Sequence, residues 1–295
     1  MKTRVRHPLS GPDPAPADFA ERRWAWCQAV AAAPFLFMAT ALVAGLWLSV
    51  GVPAARGIEA TLLFASAALA LIVSLARQLP LQNVALAALV LGASGGAAEA
   101  LSKWSGFPLG AWRPARDSGL LLFGQLPLFM PLIWIVALLS SRGVVRLILR
   151  PWRRAPGYGF WLLGLTSLLA CCFGTGLEAF ATGVKQWWQY DPAAGPRLWH
   201  NLPLQTSPGW LVTSGLILCL ATPALLNKSP VHRPPDLSPL VVWAALQLLF
   251  ACGALRHERW SLAAMLLITT FATAGLALRN PRDALPDCGA PSPPG

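Results

Sequence analysis

The chain alternates between long apolar stretches and short polar stretches. Each apolar stretch has about 20 residues, the length that an α-helix needs to cross the hydrocarbon core of a membrane. The eight stretches lie at residues 27–51, 58–76, 81–101, 119–140, 158–180, 208–227, 239–256 and 260–279. The pattern predicts an all-α, polytopic bundle of about eight transmembrane helices. A count of seven stays open because only a tight turn at 256–259 separates the last two stretches.

The composition also indicates a membrane protein. Hydrophobic residues make up 55% of the chain and charged residues 12%, whereas charged residues make up about 25% of a typical soluble domain. The formal net charge of +11 would suit a nucleic-acid partner if the basic residues formed one patch. They lie instead between the apolar stretches, as topology signals do, so we expect no nucleic-acid partner.

The two ends of the chain differ from its apolar middle. Residues 1–26 are polar, basic and rich in proline, which predicts a flexible N-terminal tail. Residues 280–295 predict a disordered, proline-rich C-terminal tail, and the transmembrane helical domain is expected at 27–279. More Lys and Arg residues fall on the side that holds both tails. We therefore expect a multi-pass protein of the bacterial cytoplasmic membrane with both termini in the cytoplasm.

Two acidic residues are unusual because they lie inside apolar stretches. Glu99 and Glu178 lie near the ends of the third and fifth stretches, whereas the other acidic residues lie in tails, loops or helix ends. Helices three and five would run in the same direction, so both acids are expected at the same face of the membrane. An ionisable group at membrane depth is costly and usually faces a protein interior or a water-filled cavity. We therefore expect the two acids to share one site.

Two interpretations of this pair stay open. Neighbouring buried acids differ in their affinity for protons, so one can donate a proton while the other orients water. Alternatively, each acid fixes a helix end by pairing with a backbone group or a basic residue. The candidate basic partners are Lys103, Arg113 and Lys185.

Several other features have structural interpretations. Pro127 and Pro131 lie in the predicted fourth helix and predict a kink. The small residues at 92–98 favour close helix packing over a narrow slot for an apolar ligand. No internal repeat is evident at a fixed period. The aromatic residues in the loops after the acids fit either an interfacial belt or a role in the site, and they are Trp104, Trp112, Trp187, Trp188, Tyr190 and Trp199.

Motifs for metals and nucleotides are absent or lie in the wrong context. The six cysteines form no CxxC pair and the four histidines lie on separate segments, so no metal site is expected. The segment 174–179 matches GxGxxA, but it lies in an apolar helix without a preceding strand. This context argues against dinucleotide binding.

A series of motifs resembles one known family. The series consists of Glu99, the loop Gly106-Phe107-Pro108-Leu109-Gly110, a Leu-Pro-Leu-x-x-Pro-Leu-x-Trp segment that ends at Trp134, a Leu-Glu pair at Glu178, an aromatic run at 187–190, and a proline before Gly209-Trp210. In order and spacing it resembles the carotenoid hydratases of the CruF type, which include the gamma-carotene and bisanhydrobacterioruberin hydratases. The resemblance covers about residues 80–225.

The resemblance implies cofactor-independent addition of water to the terminal isopropylidene double bond of an acyclic carotenoid. This lipophilic substrate would lie within the bilayer, among membrane lipids. Glu178 would donate the proton and Glu99 would orient the water, although the two roles could be exchanged. The residues expected to bind substrate are Trp112, Trp187, Trp188, Phe107, Trp210 and Trp134. The ring faces of the first three would stabilise a cation.

Three positions depart from the family pattern. Trp112 stands where tyrosine is usual, Ala179 stands where proline often follows the acid, and Thr206-Ser207 stands where Asn-Phe is common. Two functions from different classes therefore stay open. One is a hydratase, and the other is a non-catalytic pigment-binding or assembly subunit.

Overall fold

The computed structural model describes residues 16–48, 56–115, 118–191, 197–199, 202–226 and 235–279. These residues contain eight long α-helices, which are α1 (Pro16–Leu48), α2 (Arg56–Ala76), α3 (Leu81–Ser105), α4 (Phe129–Ile148), α5 (Tyr158–Gly183), α6 (Thr206–Leu225), α7 (Ser238–Arg256) and α8 (Trp260–Leu278). Each of the eight is long and apolar enough to cross a membrane. The predicted all-α polytopic bundle is confirmed, and α7 and α8 are separate helices.

Six short strands cover one end of the bundle, which we call the hairpin end. The loop between α3 and α4 holds β1 (Trp112–Pro114), β2 (Leu121–Leu122) and β3 (Leu126–Pro127), and the loop between α5 and α6 holds β4 (Trp188–Tyr190), β5 (Arg197–Trp199) and β6 (Leu202–Pro203). β2 pairs with β3 and β5 pairs with β6, each within one loop. β1 pairs antiparallel with β4 and thereby joins the two loops.

The N-terminal boundary differs from the prediction. α1 begins at Pro16, so residues 16–26, which the sequence assigned to the flexible tail, are helical. Proline suits the first position of a helix because the N–H it lacks would have no intrahelical acceptor there. Residues 1–15 and 280–295, the rest of the two predicted tails, lie outside the described residues.

The start of α4 also differs from the prediction. The helix begins at Phe129 and not at residue 119, because 119–128 form the loop that contains β2 and β3. Pro127 therefore lies in β3, and Pro131 lies in the first turn of α4, where proline removes no intrahelical hydrogen bond. The predicted kink in the fourth helix is wrong.

The α3–α4 loop is held on the start of α6 by bonds from side chains. α3 ends at Ser105, and Gly106 caps it with a left-handed φ of 76°, which suits glycine. Gln205 Nε2 donates to the Gly106 carbonyl at 2.6 Å, and Thr206 Oγ1 donates to the Leu109 carbonyl at 2.9 Å. The Leu109 N–H in turn donates to Ser102 Oγ at 3.2 Å. These bonds fix the loop over α6 and so determine where β1 lies.

The helices α3 and α5 carry similar short sequences at the hairpin end, of the pattern Gly-x-x-x-Glu-Ala. Residues 95–100 read Gly-Gly-Ala-Ala-Glu-Ala, and residues 174–179 read Gly-Thr-Gly-Leu-Glu-Ala. The glycine and the glutamate have the same spacing in both segments. Both helices run toward the hairpin end, so the two acids, Glu99 and Glu178, lie at the same end of the bundle.

The loops and helices that follow continue the correspondence. A Leu-Pro-Leu segment lies the same number of residues before a tryptophan in each half. In the first half it is Leu126-Pro127-Leu128 before Trp134, and in the second it is Leu202-Pro203-Leu204 before Trp210. Pro127 pairs with Leu121 and Pro203 pairs with Arg197, so each proline pairs with the residue six positions before it, although β5–β6 has a register shift between Arg197 and Trp199. The α3–α4 half and the α5–α6 half therefore form an internal repeat, with both copies in the same orientation. The acid and the tryptophan are farther apart in the first copy than in the second, so the repeat has no fixed period, in agreement with the sequence analysis.

α4 is the central helix, since α2, α3, α5, α7 and α8 all pack against it. Polar bonds anchor the end of α4 that lies away from the hairpin end. Arg146 donates to Gln78 Oε1 at 2.6 Å, and Arg142 donates to the Leu225 carbonyl at 3.1 Å. The opposite end of α4 is apolar and carries Trp134 into the space between α3 and α6.

We expect the ion pair between Lys185 and Glu59 to stabilise the packing of the loop that follows α5 on α2. Lys185 Nζ lies 2.5 Å from Glu59 Oε1, and the side chains are only 18% and 21% exposed. Lys185→Met should cost about 3 kcal/mol, because it leaves a largely desolvated carboxylate without a counter-charge. The melting temperature of the detergent-purified protein measures this loss.

The double variant Lys185→Met/Glu59→Leu should recover most of that loss, because it removes both charges. Lys103→Met is the matched control, since Lys103 makes only exposed bonds to Gln125. A double variant that melts no higher than Lys185→Met would contradict this account.

Candidate functional site

Glu99 and Glu178 are buried at the hairpin end, with 4% and 3% of their surfaces exposed. None of the three candidate basic partners reaches them. Lys103 donates to Gln125, Arg113 pairs with Asp191 at 2.6 Å, and Lys185 pairs with Glu59. The alternative in which these three cations hold the two acids is therefore wrong.

Glu178 accepts three hydrogen bonds from aromatic side chains. Trp210 Nε1 donates to Oε1 at 3.0 Å. Trp188 Nε1 and the Tyr190 hydroxyl donate to Oε2 at 3.1 Å and 2.8 Å. Both oxygens of Glu178 are therefore occupied by donors that carry no charge.

Glu99 has fewer partners. Trp134 Nε1 donates to its Oε1 at 3.1 Å, and Oε2 accepts no bond from the described residues. The indole N–H of Trp112 faces the Glu99 carboxyl group, but it does not meet the distance and angle of a hydrogen bond and is buried without a partner among the described residues. One oxygen of Glu99 therefore stays available for a further interaction.

A stacked pair of indole rings joins the two acids. The rings of Trp134 and Trp210 lie 4.2 Å apart, centroid to centroid, at an interplanar angle of 14°. One ring donates to Glu99 and the other to Glu178, and the two carboxyl groups lie within electrostatic range of each other. We call these four residues the acid site.

Two glycines make room for the stacked rings. A Cβ atom on Gly95 would collide with the Trp134 ring, and one on Gly174 would collide with the Trp210 ring. Gly95 and Gly174 lie one helical turn before the acids, so the same face of each helix carries the gap and the carboxyl group. The packing interpretation of the small residues at 92–98 therefore holds for Gly95.

Three tryptophans from the predicted site lie in one buried aromatic cluster beside the acids. Trp112, Trp187 and Trp188 are each at most 3% exposed. Trp188 lies 6.3 Å from Trp112 and from Trp187, and it stacks on Phe129 at 6.1 Å. The interpretation of these three as an interfacial belt is therefore wrong.

Other predicted aromatic residues lie elsewhere. Phe107 was expected to bind substrate, but its side chain is 69% exposed and points away from the acid site. It follows the αL residue at the end of α3, where the chain turns outward. Trp104 is 74% exposed, as a belt residue would be. The side chain of Trp199 lies outside the described residues.

Tyr190 is a residue that the sequence did not assign to the site. Trp188 and Tyr190 are two positions apart in β4 and point to the same buried face, whereas Gln189 is exposed. Burial, and then the charge of Glu178, raises the pKa of Tyr190 well above its usual value, so its hydroxyl stays protonated and can donate. Thr206 Oγ1 lies 3.5 Å from the same hydroxyl. The sequence signal that could have identified Tyr190 is the alternation in the aromatic run, where Trp188 and Tyr190 are two positions apart and so share one face of a strand.

We expect Gly95→Ala and Gly174→Ala to disturb the acid site, because each new methyl group displaces a stacked ring. Overpacking of this kind costs about 1–3 kcal/mol, which the melting temperature of the purified protein measures. Gly164→Ala is the matched control, because nothing lies within 4 Å of its Cβ position on α5. Equal melting temperatures for Gly174→Ala and Gly164→Ala would show that the Trp210 ring does not require the space left by the missing side chain of Gly174.

The chain matches the family model described as carotenoid biosynthesis protein over residues 57–275. The matched range runs from α2 into α8 and contains every residue of the acid site. Comparison with curated proteins gave no match, and comparison with solved structures gave none. Because the family model covers most of the chain, this protein belongs to the carotenoid biosynthesis protein family.

Proposed function

We propose that the protein is an integral membrane hydratase that adds water to the terminal isopropylidene double bond of an acyclic carotenoid end group. The product would carry a tertiary hydroxyl group. Family membership supports a role in carotenoid biosynthesis. The observation that carries the proposal is the acid site, where two buried acids that have no basic partner among the described residues are joined by stacked indole rings.

The chemistry needs few groups. Protonation of the double bond at the less substituted carbon gives a tertiary cation at the other carbon, and water then captures that cation. One group must deliver the proton, and a second must hold the water and accept its proton. A pair of buried acids supplies both groups, so the reaction requires no cofactor.

The surrounding aromatic rings suit a cationic intermediate. A cation above an indole face is attracted by the electron density of the ring, and this attraction grows when water is excluded. Trp112 and Trp188 lie beside the acids and are buried. Their role in this proposal is to stabilise the tertiary cation until water adds.

The membrane setting suits the substrate. The chain has eight helices long and apolar enough to cross a membrane, and the acid site lies at one end of their bundle, so in this proposal a lipophilic carotenoid approaches from the bilayer without entering water. The proposal also retains the expected location, which is the bacterial cytoplasmic membrane with both termini in the cytoplasm.

A non-catalytic pigment-binding or assembly subunit is the second candidate. The observation that favours it is that protein groups already bond to both acids, as they would if the acids had only a structural role. A carotenoid that copurifies unchanged with the wild-type protein would support this function.

We expect expression in a host that makes lycopene or gamma-carotene to add a more polar, hydroxylated pigment. Glu99→Gln and Glu178→Gln should each reduce that pigment by at least about a hundredfold, because glutamine keeps the shape but cannot exchange a proton with the substrate or with water. Pigment chromatography measures the product, and immunoblotting of membranes confirms that each variant is present.

Glu258→Gln is the control, since Glu258 is an exposed acid in the turn between α7 and α8. It should leave the pigment profile unchanged. If the wild-type protein alters none of several acyclic carotenoids, the hydratase proposal is wrong.

A further inference from the structure

We infer that the two acids have different and fixed roles, with Glu99 as the proton donor and Glu178 as the carboxylate that holds the water. This inference rests on the proposed function and reverses the assignment that the sequence favoured. It is carried by the unequal number of hydrogen bonds that the two carboxyl groups accept.

The bonds to Glu178 suit a carboxylate. An indole N–H can only donate, so Trp188 and Trp210 require that both oxygens of Glu178 accept. Tyr190 adds a third donor. An ionised carboxyl group has about four acceptor positions, so three are filled and one remains for a water molecule. A proton on Glu178 would have to compete with one of these donors.

The bonds to Glu99 suit a protonated acid. Its Oε1 accepts one bond from Trp134, and its Oε2 accepts none from the described residues. Oε2 can therefore carry the proton and contact the substrate double bond directly. Two carboxyl groups within electrostatic range hold one proton between them more readily than none, and the hydrogen bonds place that proton on Glu99.

The reaction then balances. The O–H bond of Glu99 breaks as its proton forms a C–H bond with the less substituted alkene carbon. The electron pair of the O–H bond stays on Glu99. The oxygen of the water bonds to the tertiary cation, and one hydrogen of that water passes to Glu178. The pair holds one proton before the alkene is protonated and again after the water has added, and the return of that proton from Glu178 to Glu99 completes the cycle.

Tyr190 and Trp210 act as positioning residues in this scheme, because they donate to Glu178 and have no assigned contact with the reacting carbon atoms. Trp188 also donates to Glu178 and in addition presents its ring to the cation. Among them, Tyr190 offers the mildest test. Tyr190→Phe keeps the ring in the aromatic cluster and removes only the hydroxyl group that donates at 2.8 Å.

The test is the pH dependence of kcat/KM for purified protein in liposomes that contain an acyclic carotenoid. A base and an acid in one site give a profile that rises at low pH and falls at high pH. Glu178→Gln should lower kcat/KM about a hundredfold and remove the rise at low pH, while the fall at high pH remains. Glu99→Gln should reduce the activity to the background.

Tyr190→Phe should move the low-pH rise in kcat/KM toward higher pH, because the Glu178 carboxylate loses one stabilising donor. The fall in kcat/KM at high pH should stay where it is. Tyr158→Phe is the matched control, since Tyr158 is the other of the two tyrosines and begins α5 at the opposite end. It should reproduce the wild-type profile.

The opposite pattern would overturn the assignment. In that pattern Glu99→Gln loses only the rise at low pH, Glu178→Gln is inactive, and Tyr190→Phe leaves the rise unmoved. Absence of any hydroxylated product from the wild-type protein is a separate outcome, and it would refute the hydratase function itself.

Discussion

Removing two carboxyl groups from water is the constraint on which the hairpin end depends. A buried polar group is costly unless hydrogen bonds replace those it made to water. The protein supplies them from indole N–H groups, with Trp134 on Glu99 and Trp210 on Glu178. Because an indole donor carries no charge, it satisfies an oxygen without fixing a counter-charge. The two acids can therefore still exchange a proton, which a salt bridge to lysine or arginine would hinder.

The need for these donors explains the local packing. An indole is the largest side chain, so it fits between two helices only where they leave space, and Gly95 and Gly174 leave it. The stacked rings then set the separation of the two helix hairpins. The same glycine, acid and indole occur in both halves of the repeat. The same packing arrangement therefore occurs in both halves, and the two halves meet at the stacked indole rings to form the acid site.

The sequence predicted the features that depend on local chemistry. The helices followed from the length of the apolar stretches, and the acids followed from their position within them. Features that depend on long-range pairing were missed, since the place of Tyr190 is set by the pairing of β4 with β1. The start of α4 was missed because 119–128 are apolar enough to resemble a helix. The repeat was missed because a longer loop follows Glu99 than Glu178, which changes its period.

The repeat is not symmetric, and its asymmetry makes the acids unequal. Arg113 lies opposite Gln189 at the centre of the β1–β4 pair, so the local two-fold symmetry relates Pro114 in one half to Tyr190 in the other. Proline has no polar side chain, whereas Tyr190 donates to Glu178. Identical halves would give two equivalent acids, with no preference for which one holds the proton. The proline and the tyrosine account for one of the two additional bonds to Glu178. The other comes from Trp188, whose equivalent Trp112 makes no such bond to Glu99.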